Sequence, residues 1–415
     1  MLSAHQAESM ILGVVQPLID PEVTSLLHAQ QRILAQDIVS SLDFPYWDNS
    51  AMDGYAVRYQ DLKGCHPDQP ITLDIVAEIP AGTCPQRELT AGQAARIFTG
   101  AMLPEGADTV VMQEQTQRLG DRVQILTCPQ SGAFVRPKGA YYQAGTPVLA
   151  QGMVLTPPDI AILATVQCSE IPVYRRPKVA ILSTGNELIA PDQPLQPGQI
   201  VDSNRYALAA LVEATGAEVR LLDPVGDQQA DLRAAIAEAI RSADMVISSG
   251  GVSVGDYDYV DQVLAELKAE LHVRSVAVKP GKPLTVATFP PQNTPQPVLY
   301  FGLPGNPVSA LVSFWRFVQP ALRKLSGQRS PWGPTFVEAR TQHPLPAGGS
   351  RETYLWGQLS LKAGRYEFAI AGGSHSSGNL INLAQTNGLA VLPLDHPALE
   401  AGETVQVMQV GTVTL

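Results

Sequence analysis

Glycines, carboxylates and lysines recur in this chain where apolar, strand-like runs end, and together those residue types suit an anionic ligand held with a divalent cation. KVAILST runs into Gly185-Asn186-Glu187, RLLDPV into Gly226-Asp227, and DMVISS into Gly250-Gly251-Val-Ser253-Val-Gly255-Asp256-Tyr-Asp258. Lys279-Pro-Gly-Lys282-Pro precedes LTVATF, and VLYFGL runs into Pro304-Gly305-Asn306-Pro307. Gly250, Gly251 and Gly255 would let backbone N–H groups close around an oxyanion ahead of a helix N-terminus. Glu187, Asp227, Asp256 and Asp258 could share Mg²⁺, which takes one or two carboxylates and fills its shell with water and phosphate oxygens. The bend at Lys279 and Lys282 offers few backbone donors, so its ammonium groups would bind phosphate-like oxygens directly. Asn306 and Pro307 read as N-cap and first residue of a helix, with Ser309 close enough to add a hydroxyl.

Each of these residues also has an ordinary reading, as a helix cap, a turn or a solvated lysine. The segment Gly251-Val-Ser253-Val-Gly255 further fits the G-x-S-x-G pattern of a hydrolase nucleophile elbow. An elbow needs a histidine base. His272 falls beyond the next predicted helix, and His343, His375 and His396 fall in the last ninety or so residues, so no base is evident. The anion-cradle reading, which needs only Gly250, Gly251 and Gly255, is preferred to a nucleophilic Ser253. Neither a Walker A sequence nor a G-x-G-x-x-G fingerprint after a strand is present.

The elements that must position these loops follow from periodicity. Between Arg176 and Leu325, nearly all-apolar runs alternate with amphipathic stretches. Leu232, Ala235, Ile236, Ala239 and Ile240 fall on one helical face, as do Val260, Val263, Leu264 and Leu267. That alternation predicts a three-layer α/β domain over 173–325 with a mostly parallel sheet, whose ligands bind beyond the carboxyl ends of the strands. Residues 1–42 read as helical and would pack with 140–172, where PPDIAILATVQ reads as a second helix, to form a mixed N-terminal domain. Residues 43–139 alternate short β-branched runs with Gly and Pro turns and read as an inserted β-rich domain. Residues 326–415 read as a small β-barrel-like domain. The chain is thus a multidomain α/β plus β protein.

Composition narrows the function. The 415 residues carry a net charge of −11, which argues against nucleic-acid or anionic-membrane binding. The four cysteines stand singly, with no C-x-x-C pair, so zinc ribbons and redox motifs are not expected. MLSAHQAESM lacks a basic leader region and no apolar run is long enough to span a bilayer, so the expected setting is cytoplasmic.

DNSAMDGYA, IFTGAMLPEGADTVV, STGNEL, SSGGVSVGDYDY, KPGKP and GLPGNPVSA stand in this order in the chain, and in that order the set resembles the MoeA family of molybdopterin molybdenumtransferases, to which gephyrin is related. The resemblance covers residues 40 to 325 closely and the two ends loosely. It implies insertion of molybdate into the dithiolene of adenylated molybdopterin, with release of AMP and use of Mg²⁺. It implies a homodimer of four-domain subunits in which Asp53 and Thr99 of one subunit face Glu187, Asp227 and Asp258 of the other. Ser253 would bind the pterin nucleotide rather than attack it. The pterin adenylyltransferase and cofactor-accepting enzymes become possible partners. One departure stands out. Where the family commonly shows Arg-x-x-Gly-Glu-Asp, this chain reads Arg136-Pro-Lys-Gly139-Ala140-Tyr141. GGSHSSGNL, with Ser376 and Ser377, matches a serine-bearing family loop only roughly. Alternatives are molybdopterin adenylylation on the same α/β fold, a non-catalytic scaffold of the gephyrin type, and the serine hydrolase.

Overall fold

A computed structural model describes residues 1–226, 228–251, 260–292 and 295–414. The chain divides into two compact units. One comprises Met1–Gln36, Gln151–Ile160 and Ser169–Leu415, the other Asp37–Ala150 and Ala161–Cys168.

The first unit is built on a six-stranded sheet in the order Glu218–Leu221, Lys178–Ser183, Met245–Ser249, Val298–Leu303, Pro283–Phe289, Glu270–Ser275. Alternate residues of its central strands enter separate cores. Val179, Ile181, Met245, Ile247, Leu299 and Phe301 pack beneath the helices Ala4–Val14, Ser203–Ala214 and Pro307–Ser313. Ala180, Leu182, Val246 and Tyr300 pack against Gln229–Ser242 and Val260–Glu266. Burial on both faces is why these strands read as unbroken apolar runs. The two predicted amphipathic stretches are helices, and Leu232, Ile236, Ala239, Ile240, Val260, Val263 and Leu264 are buried.

The sheet is less parallel than the alternation suggests. Four strands run parallel, but LTVATF pairs antiparallel with VLYFGL, Thr285 opposite Gly302, and Glu270–Ser275 pairs antiparallel with LTVATF. That reversal matters for the site. The start of the strand Pro283–Phe289, not its end, lies at the carboxyl edge of the sheet, so the lysine bend that precedes it reaches the same edge as Gly250 and Gly305.

The first 42 residues are not mainly helical. Their one α-helix is Ala4–Val14, which begins at a capping box between Ser3 and Gln6, and Leu26–His28 adds a single 3-10 turn. Pro17 and Pro21 follow the helix, and Pro21–Ser25 pairs antiparallel with Glu170–Tyr174. The apolar spacing of QRILA is used differently, in isolated bridges of Ile33 to Val154 and Leu34 to Val173. PPDIAILATVQ does form a helix, Pro157–Thr165.

Beyond Leu325, five strands close into a barrel. Glu352–Lys362 pairs with both Arg365–Ile370 and Gly388–Leu392, and Phe336–Thr341 and Thr404–Gln409 complete the ring. Leu355, Leu359, Phe368, Leu392 and Val407 fill it. A short strand, Val278–Lys279, adds in parallel to Glu352–Thr353 and ties the lysine bend to the barrel.

The second unit contains its own six-stranded sheet, in the order Thr109–Met112, Gly54–Val57, Gln93–Ile97, Ile71–Ile79, Arg122–Ile125, Thr116–Leu119. Tyr55 and Val57 enter one core and Ala56 another, so Gly54–Val57 is also buried on both faces.

Candidate active site

The carboxyl edge of the α/β sheet opens into a cleft of about 750 Å³. Three strand ends supply its floor: Ser183-Thr184-Gly185, Ser249-Gly250-Gly251 and Pro304-Gly305-Asn306. Gly250 and Gly251 have φ of +91° and +69°. A Cβ on Gly250 would lie 2.5 Å from the Thr184 carbonyl oxygen, so only glycine lets this turn pass the neighbouring strand end. Asn204 fastens the floor: its Nδ2 donates to Ser249 Oγ at 2.7 Å and to the Gly305 carbonyl at 2.8 Å. Glu187 enters from the loop after Ser183, and Asp202 from the start of the helix Ser203–Ala214. The two are brought together by a short parallel pairing of Leu188–Ile189 with Ile200–Val201.

Several buried polar atoms in this cleft lack a partner among the described residues: Ser183 Oγ, Thr184 Oγ1, Asp202 Oδ2 and Asn204 Oδ1. Asp202 spends only one oxygen on capping, accepting from the Arg205 N–H through Oδ1. Buried polar atoms are nearly always hydrogen-bonded, so a cluster of orphans on one wall marks a surface shaped for a polar ligand.

A second cavity, of about 560 Å³, shares Pro283 and Ser309 with the cleft. Lys279, Lys282 and Arg351 line it together with Thr353, His375, Ser376 and Ser377, and no Asp or Glu among the described residues does. Trp356 Nε1 and His375 Nδ1, also on this cavity's residues, are buried without a partner among the described residues. Gly281 sits against the helix Pro307–Ser313, where a Cβ would lie 2.8 Å from Ser313 Oγ. Cations and hydroxyls without carboxylates make this a cavity for an oxyanion.

The second unit holds a different carboxylate. Asp53 Oδ1 accepts from both the backbone N–H and the hydroxyl of Thr99, each at 2.7 Å. The Thr99 backbone and hydroxyl, with a smaller contribution from the Arg96 guanidinium, hold the Asp53 carboxyl below the usual aspartate range. Its loop is laced to IFTGAML: Ser50 N–H donates to the Ala101 carbonyl, Gly100 N–H to the Ser50 carbonyl and Leu103 N–H to the Asp48 carbonyl. Asn49–Ser50 pairs in turn with Val135–Arg136. Where the Glu-Asp pair would stand, Tyr141 packs its ring 5.6 Å from that of Phe44 and its N–H bonds the Phe44 carbonyl. At these two positions the corner presents Ala140 and an aromatic ring in place of two carboxylates, beside an ion pair of Lys138 with Asp43.

Of the residues singled out by sequence, Glu187, Gly250, Gly251, Pro304, Gly305, Asn306 and Ser309 share the cleft, and Lys279 and Lys282 the adjoining cavity. Asp53 and Thr99 form their own hydrogen-bonded pair. Asp227, Ser253, Gly255, Asp256 and Asp258 lie outside the described residues. Asn306 holds the N-cap position before Pro307, but its side chain makes no capping bond, so its amide is exposed to the cleft. Sequence reasoning passed over Ser183, Thr184, Asp202, Asn204 and Arg351. VDSN carries a capping signal at Asp202, which hides the second oxygen, and Arg351 has no local signal because register with Val278–Lys279 brings it in.

Comparison with known proteins shows the family. Three family models match in succession: the MoeA N-terminal region (domain I and II) over residues 2–166, a probable molybdopterin binding domain over 180–324, and the MoeA C-terminal region (domain IV) over 338–410. A molybdopterin molybdenumtransferase of Nostoc sp. is 58% identical over 99% of this chain and 94% of its own length. One from Haemophilus influenzae is 37% identical over 98% of each. The crystal structure of a molybdopterin biosynthesis MoeA protein from Pyrococcus horikosii superposes with a TM-score of 0.84 at 29% identity, covering 99% of this chain and all of that one. The chain belongs to the MoeA family of molybdopterin molybdenumtransferases.

Proposed function

We propose that this chain inserts molybdate into adenylated molybdopterin and releases AMP, with the pterin nucleotide in the cleft and molybdate in the adjoining cationic cavity. The observation that carries this reading is the continuity of the two spaces. Polar atoms that have no partner among the described residues, on one wall of the cleft, meet a cavity that no described Asp or Glu lines, at Ser309 and Pro283. A long polar substrate and a small tetrahedral dianion would therefore meet at that junction.

The protein's part is placement. Backbone N–H groups of Gly250 and Gly251 and the hydroxyls of Ser183 and Thr184 would bind the nucleotide's phosphate end. Asn204 keeps two loops in register beneath it. Lys279, Lys282 and Arg351 would hold molybdate oxygens and orient the anion toward the dithiolene sulfurs. Glu187 and Asp202 line one cleft, and Asp202 Oδ2 has no partner among the described residues, so the two carboxylates would offer hard oxygen donors of the kind Mg²⁺ takes. Bound there, such a cation would offset the negative charge of the nucleotide's phosphates. Among the described residues no three His, Cys, Asp or Glu gather as a metal cluster, so substrate oxygens would complete the shell. Asp53 stays ionised through its Thr99 bonds and would steer the attacking oxygen or the cation from a partner subunit, in a homodimer whose site each subunit completes for the other.

Residues 43–139 then serve to present Asp53 and Thr99, 173–325 to bind the nucleotide, and 326–415 to wall the oxyanion cavity with Arg351 and Ser376. The four cysteines are free thiols, in keeping with a cytoplasmic setting. No helix among the described residues is long and apolar enough to cross a membrane. The test is to incubate the purified chain with adenylated molybdopterin and molybdate and measure AMP. AMP release that depends on molybdate supports the reading. Conversion of ATP and molybdopterin to adenylated product would instead favour the adenylyltransferase.

A further inference from the structure

The cleft and the cationic cavity share more than Ser309 and Pro283, because one stretch of backbone walls both. His375, Ser376 and Ser377 line the cavity, while Gly378 and Leu380, directly after them in the chain, line the cleft. The chain passes from one space to the other at Ser377, whose carbonyl accepts from the Val308 N–H at 3.1 Å. Val308 stands next to Ser309, the helix residue that both spaces share. The crossing is therefore fastened to the helix Pro307–Ser313 at the junction of the two spaces.

This stretch lies between the barrel strands Arg365–Ile370 and Gly388–Leu392, outside their ladder, and side-chain amides hold it instead. Asn382 Nδ2 donates to the Gly372 carbonyl at 2.7 Å and to the Ser374 carbonyl at 2.9 Å. Asn379 Nδ2 donates to the same Ser374 carbonyl at 3.1 Å. Carbonyl oxygens only accept, so each amide must turn its NH2 group onto the loop's own backbone. His375 secures the entry to the loop. Its Nε2 donates to the Ala371 carbonyl at 2.8 Å, and its ring centre lies 4.6 Å from that of Trp356. Ser374 precedes the lining residues, and Asn379 and Asn382 flank or follow the last of them. The amide bonds thus close a ring of chain around Ser376, Ser377 and Gly378. Groups that meet a ligand keep their geometry only when their own supports are fixed, and here one pair of amides supports walls of both spaces.

We propose that Asn379 and Asn382 are positioning residues that set Ser374–Leu380 as a common partition, so that the cavity and the cleft are shaped together for their two ligands. The inference rests on the two-ligand reading given above. Neither amide is among the described residues that line the two spaces. Both act through the backbone they hold.

Calorimetric titration of the full chain with sodium molybdate and, separately, with AMP tests this. Asn382→Leu, close to the native side chain in shape but uncharged and without donors, should weaken both ligands about tenfold with unchanged circular dichroism. Ser377→Ala should weaken molybdate alone. In the double variant the molybdate loss should stay near that of Asn382→Leu, because the amide acts through the segment that carries the serine. A defect elsewhere in the fold would add to the serine's loss. Should Asn382→Leu fold poorly, Asn379→Ala is read in the same way. Wild-type affinity for both ligands, a loss confined to one of them, or losses that add in the double variant would overturn the positioning role. Absence of molybdate or AMP binding by the wild type would instead overturn the reading of that space beneath it.

Discussion

Asp53 and Asp202 are both aspartates at candidate active-site positions, and their surroundings differ in an instructive way. Asp53 has its hydrogen bonds made for it: Thr99 supplies two donors to one oxygen, and the carboxyl is kept ionised. Asp202 is buried, caps a helix with one oxygen, and leaves the other without a partner among the described residues. A satisfied, half-buried carboxylate is a finished tool whose charge and orientation are fixed beforehand. A buried, half-satisfied one carries a desolvation cost that a ligand's donor or a cation can relieve. On the function proposed above, the first kind would serve chemistry and the second would recognise what is bound.

That contrast can be broken from either side. Asp53→Ala should reduce AMP release by about a hundredfold or more while costing only modest stability, read as a Tm lowered by a few degrees, since the residue is half-buried and loses its two bonds to Thr99. Wild-type turnover in that variant would remove Asp53 from the mechanism. Asp202→Asn should act on binding, raising KM for adenylated molybdopterin about tenfold with a smaller change in kcat. A pure kcat effect would place Asp202 with Asp53 instead. Lys282→Ala should raise KM for molybdate about tenfold and leave that for the pterin nucleotide alone, which separates the two cavities.

Gly250→Ala addresses the floor of the proposed nucleotide cleft. Its positive φ and the 2.5 Å approach to the Thr184 carbonyl predict a loss of about 2 kcal/mol or more, visible as a lowered Tm. Thr99→Val should have the smallest effect on rate, a few-fold at neutral pH, because the backbone N–H still holds Asp53. Its signature is in pH. A depressed carboxyl keeps its charge above the folded value and loses it as pH falls through that value, which lies below 3.8. Without the Thr99 hydroxyl the acid limb of the activity profile should move upward, toward the ordinary aspartate range. An unmoved limb would show that the hydroxyl does not tune Asp53.

How much of this could be read in the chain follows the range of the interactions. The apolar strands, the two amphipathic helices and the glycine-bearing strand ends are local patterns, and the sheet edge they imply collects Glu187, Gly250 and Gly305 as expected. The antiparallel run of LTVATF is not local. Its composition suits either direction, and pairing with Val298–Leu303 decides it. The reading of residues 1–42 as helical holds only for Ala4–Val14 and the short 3-10 turn Leu26–His28, because the apolar spacing at Ile33 and Leu34 serves bridges to Val154 and Val173, contacts more than a hundred residues distant. Arg351 depends on barrel register, and the bond of Ser377 to Val308 on the barrel's packing against a helix, neither of which leaves a mark on neighbouring residues. Ala140 and Tyr141 were visible as a departure, but their consequence, an aromatic packing on Phe44, needed the fold.

The central claim is that one polar cleft and one cationic cavity meet at Ser309 and Pro283 to bring nucleotide and oxyanion together. A crystal of the full chain soaked with AMP and molybdate tests it most directly. The account predicts AMP against Ser183, Thr184 and Asp202, with molybdate within hydrogen-bonding distance of Lys279, Lys282 or Arg351. Molybdate bound elsewhere, with those three cations solvated, would contradict it.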